Sequence, residues 1–565
     1  MNQLIECVPN FSEGRDMQII RQITDVIEQV EGVRLLDVDP GKATNRTVVT
    51  FVGSPEAVCE AAFLAVKKAS ELIDMSRHQG AHPRFGATDV CPLVPVSGIT
   101  MEEVVKYARS LAKRIGGELQ VPVYCYEFAA FEDKRKNLAS CRQGEYEGLP
   151  QKIAGADWKP DFGPAAWNEK VARSGAVAVG ARNFLIAYNI NLNTTSTRRA
   201  NAIAYDIREK GRVKREGNPI TGKIIRNASG EPVYEPGLLK AVKAIGWYID
   251  EYGIAQISIN LTDLSVSPLH QVFDTACERA VARGLRVTGS ELVGMVPLHA
   301  MVEAGRYFLH KQQRSTGIPE REIIKIAVKS LGLDDLTPFE PDKKIIEYML
   351  RDRSAKRLVD LTVKGFAEET ASESAAPGGG SVSACLGALG ASLATMVANL
   401  SSHKAGWDDR WKEFSDYAER GMVLQKDLLN LVDEDTLAFG KVMEALGMPK
   451  STDAEKAARH NALQRATRFA TEVPLKVMKR SFDSFELIKA MVENGNPNSV
   501  SDAAVGALCV RSAVLGAFLN VKINLSGLED QAFVQQVLAE GKETEQKAIR
   551  AEQEILKMVE NNMKR

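Results

Sequence analysis

Asp435 is an acid at a position where helical periodicity predicts an apolar side chain. It lies in the segment LVDEDTLAFGKVMEAL, which starts at Leu431. A helix that advances about 100° per residue places the neighbouring apolar residues on one side. Those residues are Leu424, Leu428, Leu431, Val432, Phe439, Val442, Met443 and Leu446. Asp433 and Glu434 point away from this stripe, whereas Asp435 lies in its middle. Because burial raises the pKa of a carboxylate, Asp435 is a candidate for proton transfer near neutral pH.

A second candidate lies in the segment SRHQGAHPRFGATDVCP. His78 and His82 are four residues apart, but Gly80 and the restriction that Pro83 places on His82 argue against a helix through both. No HExxH motif is present, so we predict no metal site. An imidazole titrates near neutrality, and His82 beside Arg84 therefore suits general acid–base catalysis. A histidine that is only hydrogen-bonded in a turn is the alternative.

Glycines and a serine precede a predicted helix in the segment APGGGSVSA. Gly378, Gly379 and Gly380 allow a ligand to approach closely, and free backbone amides at Ser381 and its neighbours can hold an anion. No GK[ST] follows, which disfavours nucleotide hydrolysis. A loop that ends in an ordinary N-cap is the alternative.

Other polar residues lie at the ends of predicted elements. DVDPGKATNRTVVTF places Asp37, Asp39 and Arg46 between two strands, where site carboxylates are common but Asp-Pro-Gly turns are common too. DFGPAAW is a Gly-Pro turn flanked by aromatic residues, which fits either a linker or a stacking surface for a flat ring. Candidates for hydrogen bonds to a heterocycle, or alternatively for helix caps and core hydrogen bonds, are Asp502, Asn520 and Asn524.

Composition limits the class of protein. A chain of 565 residues with 44% hydrophobic content can bury several cores. Lys and Arg number 72 and Asp and Glu 73, so the formal net charge of -1 argues against a nucleic-acid binder with a broad basic surface. The eight cysteines form no CxxC pair, which predicts neither a zinc ribbon nor a disulfide framework and fits a reducing cytosol.

Two further features bear on location. The N-terminus, MNQLIECVPNF, has no basic region followed by an apolar core, so we expect a cytoplasmic protein without a secretory signal. Residues 374–402 carry no charge, but their Gly, Ser and Ala content favours a tightly packed internal helix over a membrane span.

The elements that position these residues change along the chain. Of the 22 prolines, only Pro377, Pro449, Pro474 and Pro497 lie beyond Asp342, and the long helical periodicity there predicts an all-α domain. The front of the chain alternates instead. The segments LIECVPNF, VRLLDVDP, RTVVTFVG and VPVYCYEF read as strands, with helices near residues 17–30, 55–72 and 101–115. The order is βαββαβ, with extra strand-like material at VCPLVPV.

A second block repeats this order. The segment ARNFLIAYNINLN predicts a strand, and residues 197–212 predict a helix. Two predicted strands flank residues 251–253. A predicted helix over 269–283 and the strand LRVTGSEL follow. Residues 213–237 predict an inserted hairpin or a long loop. We therefore predict two tandem α+β sandwich subdomains, ferredoxin-like in the order βαββαβ, followed by the all-α domain. The predicted bounds are 1–180 and 181–327 for the subdomains, 328–344 for a linker and 345–565 for the helical domain.

Several segments together resemble the formimidoyltransferase-cyclodeaminases, the bifunctional folate enzymes of histidine degradation. They occur in the family's order over essentially the whole chain: ECVPNFSEG, DVDPGKATNRTVVTFVG, HQGAHPRFGATDVCPLVPV, DFGP, FLIAYNINL, APGGGSVSA and LVDEDTLAF. The resemblance implies a transferase in the front part and a cyclodeaminase in the helical part. It places the transferase base at His82, a folate-binding loop from Gly163 through Pro164 to Trp167, and the cyclodeaminase carboxylate at Asp435. The stretch between Arg212 and Leu238 is a departure from the family.

The implied reaction transfers a formimino group from N-formimino-L-glutamate to N5 of tetrahydrofolate. N10 then attacks the same carbon, ammonia leaves and 5,10-methenyltetrahydrofolate forms. Tetrahydrofolate is a co-substrate, and we expect no metal, NAD or ATP, since the corresponding motifs are missing. The family also implies a ring-like homo-oligomer and polyglutamylated folates, for which a basic track would hold the tail. Candidates for that track are Arg84, Arg198, Arg208, Arg212 and Lys214.

Two alternatives stay open. The same transferase fold could act on N-formyl-L-glutamate to give 5-formyltetrahydrofolate, and no residue of the sequence decides between the two donors. A different class is a non-catalytic folate-binding oligomer in which Asp435 is only a buried structural acid. The presence of a cyclodeaminase part weighs towards the formimino donor, because that part would otherwise lack a substrate.

Overall fold

The computed structural model describes residues 3–42, 45–80, 84–218, 221–350 and 357–563. The chain forms two compact units. The first comprises Met1–Ala300 and Leu331–Arg351, and the second comprises Met301–Ser330 and Asp352–Arg565. The first unit combines helices with mixed and antiparallel sheets, and the C-terminal region is all helical, which confirms the coarse prediction of an α/β part followed by a helical part. The finer domain limits stay a prediction.

The first sheet has seven strands. They are β1 (Leu4–Cys7), β2 (Asn10–Phe11), β3 (Val33–Gly41), β4 (Arg46–Gly53), β5 (Thr88–Ser97), β6 (Val123–Glu127) and β7 (Val177–Ala181). β1 and β2 both lie between β4 and β5, β3 pairs with β4, and β7 lies between β5 and β6. The pairs of β7 are parallel and the others antiparallel. The segment VCPLVPV, expected only as extra strand-like material, thus forms part of the full strand β5 inside the sheet.

Helices cover one face of this sheet. They are α1 (Met17–Glu28), α2 (Pro55–Leu72) and α3 (Met101–Arg114). The short helices α4 (Leu138–Cys141), α5 (Leu149–Ala154) and α6 (Glu169–Ser174) come later in the chain and do not belong to this layer. The starts of the first three helices follow local rules: Asp16 caps α1, Pro55 opens α2, and Thr100 and Glu103 form a capping box on α3. Alternate strand residues such as Ile5, Cys7, Val49 and Phe51 are buried with these helices. On the opposite face, residues of α4, α5 and α6 pack with Tyr124 and Tyr126 of β6 and Ala178 of β7, and the remainder of that face is left for other contacts.

The second block also has the order βαββαβ. Its elements are β8 (Ile186–Leu192), α7 (Thr197–Ile207), β11 (Val242–Ile249), β12 (Ile254–Leu261), α8 (Leu269–Val281) and β13 (Val287–Val293), and the antiparallel sheet has the order β11-β12-β8-β13. The insertion forms a small hairpin of β9 (Arg212–Val213) and β10 (Tyr234–Glu235). The predicted helix over 197–212 was too long, because Arg208 takes an extended backbone and Arg212 pairs in that hairpin.

Ten helices follow among the described residues. They are α9 (Leu298–Lys311), α10 (Glu320–Leu331), α11 (Pro341–Lys344), α12 (Ile346–Met349), α13 (Val363–Thr370), α14 (Gly379–Ser402), α15 (Trp411–Gly447), α16 (Asp453–Asn494), α17 (Val500–Leu525) and α18 (Gln531–Met563). α14, α15, α16 and α17 pack on one another around a shared apolar core. The small residues of α14 allow this close approach: a Cβ at Gly390 would meet Val510 at 2.6 Å.

Two of these helices are long and apolar enough to cross a membrane. They are α14 and the stretch Pro497–Leu525 that contains α17. About half or more of each apolar window is buried, 61% for α14 and 50% for the other. Their buried residues face α15, α16 and each other, as expected of core helices in a bundle.

Candidate functional site

Asp435 lies within a stripe of α15 that differs from the predicted one. Leu424, Leu428 and Leu431 are buried as predicted, but Phe439, Met443 and Leu446 are exposed. The stripe that packs on the bundle continues instead through Ala438, Val442 and Ala445, at spacings of three and four residues. Small alanines contact the bundle, so the larger side chains beside them point outward. Asp435 lies four residues after Leu431 and three residues before Ala438, on the same side of the helix.

The start of α14 holds the Asp435 carboxylate. The Ser381 hydroxyl donates to Asp435 Oδ2 at 2.9 Å, and the Ser381 backbone N–H also contributes. Burial raises the pKa of Asp435 above its ordinary value, while the two hydrogen bonds from Ser381 act in the opposite direction. The result is a half-buried acid that is poised closer to neutrality than a surface aspartate.

Glycine is required beside this carboxylate. A Cβ at Gly380 would lie 2.2 Å from Asp435 Oδ1, so no larger residue fits without moving the acid. One position earlier, a Cβ at Gly379 would lie 3.1 Å from the Asn520 amide nitrogen. The buried Thr436 hydroxyl has no hydrogen-bond partner within the described part of the chain. These residues form a polar site at the N-terminus of α14, with a proton acceptor at its centre.

The first unit contains a cavity of about 830 Å³ against the face of the first sheet that α1, α2 and α3 leave open, next to the short helix α4. Every second residue of the strands faces it, as the pleat of a sheet requires. From β1 and β2 these are Glu6 and Asn10 with Val8 between them; from β4 they are Arg46, Val48 and Thr50. The far wall comes from the second block, including Lys243, Asn260 and Thr262. The volume suits a folate-sized ligand.

Glu6 is the most buried acid of this cavity. Its side chain is 4% exposed, and burial raises its pKa to about 7, with Arg182 acting to lower the pKa and Glu347 to raise it. Among the described residues no hydrogen bond or ion pair forms on its carboxylate. An unpaired buried carboxylate is costly, so this side chain is a candidate for contact with a ligand.

A pair of guanidinium groups lies at another part of the cavity wall. Arg46 and Arg142 both bind Asp89, which is fully buried, with Arg142 at 2.9 Å. Arg46 also donates to Asn10 Oδ1 at 3.0 Å. Two cations on one carboxylate leave a net charge of +1, and both arginines line the cavity. This cluster favours a ligand carboxylate there.

Asp39 and Asp37 line the same cavity on β3. Partial burial and the neighbouring Asp39 charge raise the pKa of Asp37. The structure thus brings the predicted residues Asp39 and Arg46 to one cavity, together with three residues that the sequence did not single out: Glu6, Arg142 and Arg182.

His82 lies outside the described residues, so its predicted role as a base stays a prediction. Arg84, close by in the sequence, donates to Glu147 at 3.0 Å and to the carbonyls of Met75 and His78. Its guanidinium also lies 4.8 Å from the Tyr146 ring. These contacts hold Arg84 against the backbone at Met75 and His78, and Arg84 does not line the cavity.

The predicted folate loop lies at the edge of the first sheet. Gly163 has a φ of +84°, and a Cβ there would meet the Val121 carbonyl at 2.3 Å, so glycine is required for the backbone. Pro164 is half-buried, and the Trp167 ring packs edge-on against Tyr146 at 5.7 Å. Gly163, Pro164 and Trp167 lie outside the lining of the 830 Å³ cavity.

Most residues of the predicted basic track have partners within the fold. Arg208 donates to the carbonyls of Gly211 and Ala244, and Arg212 pairs with Asp206. Arg198 lies exposed on α7, and Lys214 follows the hairpin strand β9. The structure therefore gives Arg208 and Arg212 local structural contacts and does not bring them to the cavity.

Two residues of the predicted heterocycle site, Asp502 and Asn524, form no hydrogen bond with Asp435 among the described residues. Asn524 donates to the Ala470 carbonyl at 2.7 Å, a core hydrogen bond between α17 and α16. Asp502 lies in the first turn of α17, 18 residues before Asn520, which is about 27 Å along a helix. Asn520 is the one of the three that adjoins Gly379.

No group of three or more His, Cys, Asp or Glu side chains in the described ranges could hold a metal ion.

All eight cysteines are free of disulfides. Cys7 and Cys91 lie 3.7 Å apart between their sulfur atoms, buried in the core of the first sheet. They lie on the helix-covered face and do not line the cavity.

Comparisons with known proteins cover nearly all of the chain. The family model described as "Formiminotransferase domain, N-terminal subdomain" matches residues 4–182, "Formiminotransferase domain" matches 187–351, and "Formiminotransferase-cyclodeaminase" matches 362–543. The first two matches span the two α/β blocks, and the third spans most of the helical bundle.

Individual relatives agree with this. The formimidoyltransferase-cyclodeaminase of Mus musculus is 43% identical over 534 residues, which is 94% of each chain. That of Gallus gallus is 44% identical over 539 residues, again 94% of each chain. The glutamate formimidoyltransferase of Streptococcus pyogenes serotype M1 is 39% identical over 310 residues, which is 55% of this chain and 94% of that one. The chain therefore belongs to the formiminotransferase-cyclodeaminase family.

Proposed function

We propose that this chain catalyses two consecutive folate reactions of histidine degradation. The first unit transfers the formimino group from N-formimino-L-glutamate to tetrahydrofolate. The helical unit then cyclises 5-formiminotetrahydrofolate to 5,10-methenyltetrahydrofolate and releases ammonia. Family membership over the whole chain supports both activities, and tetrahydrofolate is the co-substrate.

The transfer needs a base, an anion site and room for two substrates. N5 of tetrahydrofolate attacks the amidinium carbon, a tetrahedral intermediate forms, and the glutamate nitrogen leaves after it takes up a proton. His82 is the proposed base that removes the N5 proton and returns one to the leaving nitrogen. The Arg46 and Arg142 pair, seated on Asp89, is suited to hold the carboxylates of the donor.

The cyclisation needs one group that accepts a proton and passes it on. N10 attacks the formimino carbon, Asp435 takes the N10 proton, and the same proton goes to the departing nitrogen, which leaves as ammonia. The single observation that carries this assignment is the contact of Asp435 with Ser381 at the start of α14, where burial raises the pKa of the acid. Gly380 keeps the carboxylate in place by leaving no side chain beside it.

We also propose finer features of the fold and assembly. The strand order β11-β12-β8-β13 fits a ferredoxin-like second subdomain. A homo-oligomer is supported by apolar side chains that face outward on the two packed helices α14 and α17. They are Leu389, Met396, Leu400, Val505, Leu508, Leu519 and Ile523. A cytoplasmic location and polyglutamylated folates stay predictions.

An assay with tetrahydrofolate and N-formimino-L-glutamate tests the proposed function. Methenyl-folate absorbance, glutamate and ammonia are measured together on the purified full chain. Equal formation of all three is expected. Turnover of N-formyl-L-glutamate, with none of the formimino donor, would replace the first activity by the alternative one.

A further inference from the structure

Glu6 is a buried acid that the proposed mechanism does not use. It lies on β1 between Ile5 and Cys7, which point into the apolar core, so its own side chain points to the opposite face and lines the cavity. The side chain is 4% exposed. Its carboxylate has no hydrogen bond among the residues that the structure describes, although Arg182 and Glu347 are near enough to influence its charge. A buried acceptor of this kind offers open positions to the donors of a ligand or of water.

The cavity separates Glu6 from the arginine pair. Glu6 pairs with Val52 of β4, and Asn10, which binds Arg46, pairs with Val48; four residues of a strand span roughly 13 Å. The donor's two carboxylates are drawn towards Arg46 and Arg142. With the donor held there, the Glu6 end of the cavity is left for the second substrate.

The second substrate offers the matching donors. The pterin ring of tetrahydrofolate carries an N3–H and a 2-amino group side by side on the edge of the ring that lies away from N5. Two parallel N–H donors of this kind fit the two oxygens of one carboxylate, as in the pairing of arginine with an acid. The flat ring also suits the partly apolar walls that Val8, Pro92 and Tyr126 provide.

We propose that the Glu6 carboxylate accepts the N3–H and 2-amino hydrogens of the pterin ring and so anchors tetrahydrofolate in the transferase cavity. This assignment rests on the proposed transferase function. Glu6 orients the ring at a distance from the reacting atoms, so that N5 faces the donor. It is a binding residue and takes no part in the proton transfers.

The ionisation of Glu6 gives the assignment a pH signature. Its pKa of about 7 in the unliganded chain means that the carboxylate is partly protonated at neutral pH. Only the ionised form accepts both N–H groups, so tetrahydrofolate binding strengthens as the pH rises through about 7. Groups that face Glu6 shift this value: Arg182 favours the ionised form and Glu347 disfavours it.

The test follows glutamate release by the full chain, which reports the transferase alone. Glu6→Gln is expected to raise the KM for tetrahydrofolate about tenfold or more, since hydrogen bonds to a charged group are worth at least that factor. The KM for N-formimino-L-glutamate should change less than threefold. The strengthening of tetrahydrofolate binding between pH 6 and 8, measured as its dissociation constant in the absence of the donor, should disappear; kcat/KM would also report the titration of the proposed base His82. Glu28→Gln, which removes an exposed acid from α1, is the matched control and should leave every value unchanged.

Two further arms make the test decisive. Glu6→Asp keeps the charge but withdraws it by one methylene, so its KM for tetrahydrofolate should lie between those of wild type and Glu6→Gln. The wild type should lose as much affinity for 2-desamino-tetrahydrofolate as Glu6→Gln loses for tetrahydrofolate, and Glu6→Gln should lose little more with the desamino compound.

Other outcomes would overturn the assignment. Unchanged KM values in Glu6→Gln would mean that Glu6 binds neither substrate. A rise confined to the KM for N-formimino-L-glutamate would mean that Glu6 holds the amidinium of the donor instead. A wild type that releases no glutamate from these substrates would remove the proposed function, and the role of Glu6 with it.

Discussion

Asp435 and Glu6 are acids whose surroundings raise their pKa values by desolvation, one in each unit. They differ in their partners. Asp435 accepts hydrogen bonds from Ser381, whereas Glu6 has none among the described residues. An acid that moves protons needs a fixed position with a tuned pKa, and an acid that binds a ring edge needs open acceptor positions. The contacts of each residue fit the role proposed for it.

The raised pKa of Asp435 predicts the effect of its removal on stability. An acid whose pKa is higher in the folded than in the unfolded chain stabilises the fold below the unfolded pKa and loses that contribution as the pH rises through the folded value. At pH 7.5 the buried charge is therefore a cost, and Asp435→Asn should have an unchanged or higher Tm. A thermal unfolding curve checks this, and a clear drop in Tm would show that the carboxylate is a structural partner.

Arg142 offers a second test at this scale. Arg142→Ala removes one of the two cations on Asp89, so the KM for N-formimino-L-glutamate should rise about tenfold or more. Arg142→Lys should recover only part of the loss, because lysine lacks the planar fork. Steady-state kinetics of glutamate release measure both. Arg34→Ala, at an exposed position outside the cavity lining, is the control. An unchanged donor KM in Arg142→Ala would contradict the proposed anion site.

At the scale of elements, the crossing of α14 and α15 builds the proposed cyclodeaminase site. Ser381 and Asp435 are 54 residues apart in the sequence, and only the packing of the two helices brings them together. The glycines at the start of α14 serve this crossing, because any side chain at Gly380 would overlap the carboxylate.

Gly380→Ala tests the crossing directly. Its Cβ would lie 2.2 Å from Asp435 Oδ1, so the carboxylate must move, and the ammonia release rate should fall at least tenfold while glutamate release is retained. Gly440→Ala on α15 is the matched control, since its Cβ meets no atom within 4 Å. Equal ammonia release by both variants would show that the position of Asp435 is not critical.

The strands and helices were predictable to different degrees. The main helices followed from their periodicity and caps, but β5 was underestimated because it contains Pro92 and Pro95, and proline is rare inside sheets. The end of α7 was misplaced because Arg212 pairs with β10, a contact that periodicity does not report. Similarly, α15 turns its alanines to the bundle and exposes Phe439 and Met443, which a hydrophobicity stripe cannot anticipate.

The same limit applies to the sites. Asp435 was predicted because it violates a local pattern, and Asp39 and Arg46 because they end strands. Glu6 also interrupts an apolar strand, LIECV, and an acid at such a position is a local exception that could have identified it. Arg142 gave no signal, because its importance comes from Asp89, 53 residues away. Local exceptions are readable from a sequence, whereas partners brought together by the fold are not.

At the scale of the whole molecule, the outward apolar residues of α14 and α17 predict self-association. Leu519 and Ile523 are 63% and 71% exposed on one side of α17. The double change Leu519→Glu and Ile523→Glu should lower the mass measured by light scattering after size exclusion, because buried carboxylates without partners are costly. Lys557→Glu, a charge change at an exposed position of α18 outside this patch, is the control. An unaltered mass in the double variant would place the subunit contact elsewhere.

Separate family models match residues 4–182 and 187–351, and residues 362–543, and we assign one reaction to each of these two parts of the chain. The most direct test is the ratio of ammonia to glutamate released by wild type and by Asp435→Asn from tetrahydrofolate and N-formimino-L-glutamate. The assignment of one reaction to each part predicts a ratio of one for wild type. For Asp435→Asn it predicts a ratio near zero at an unchanged glutamate rate, since loss of an acid–base group costs a factor of about 10² to 10⁴. A ratio that stays near one in Asp435→Asn would contradict it.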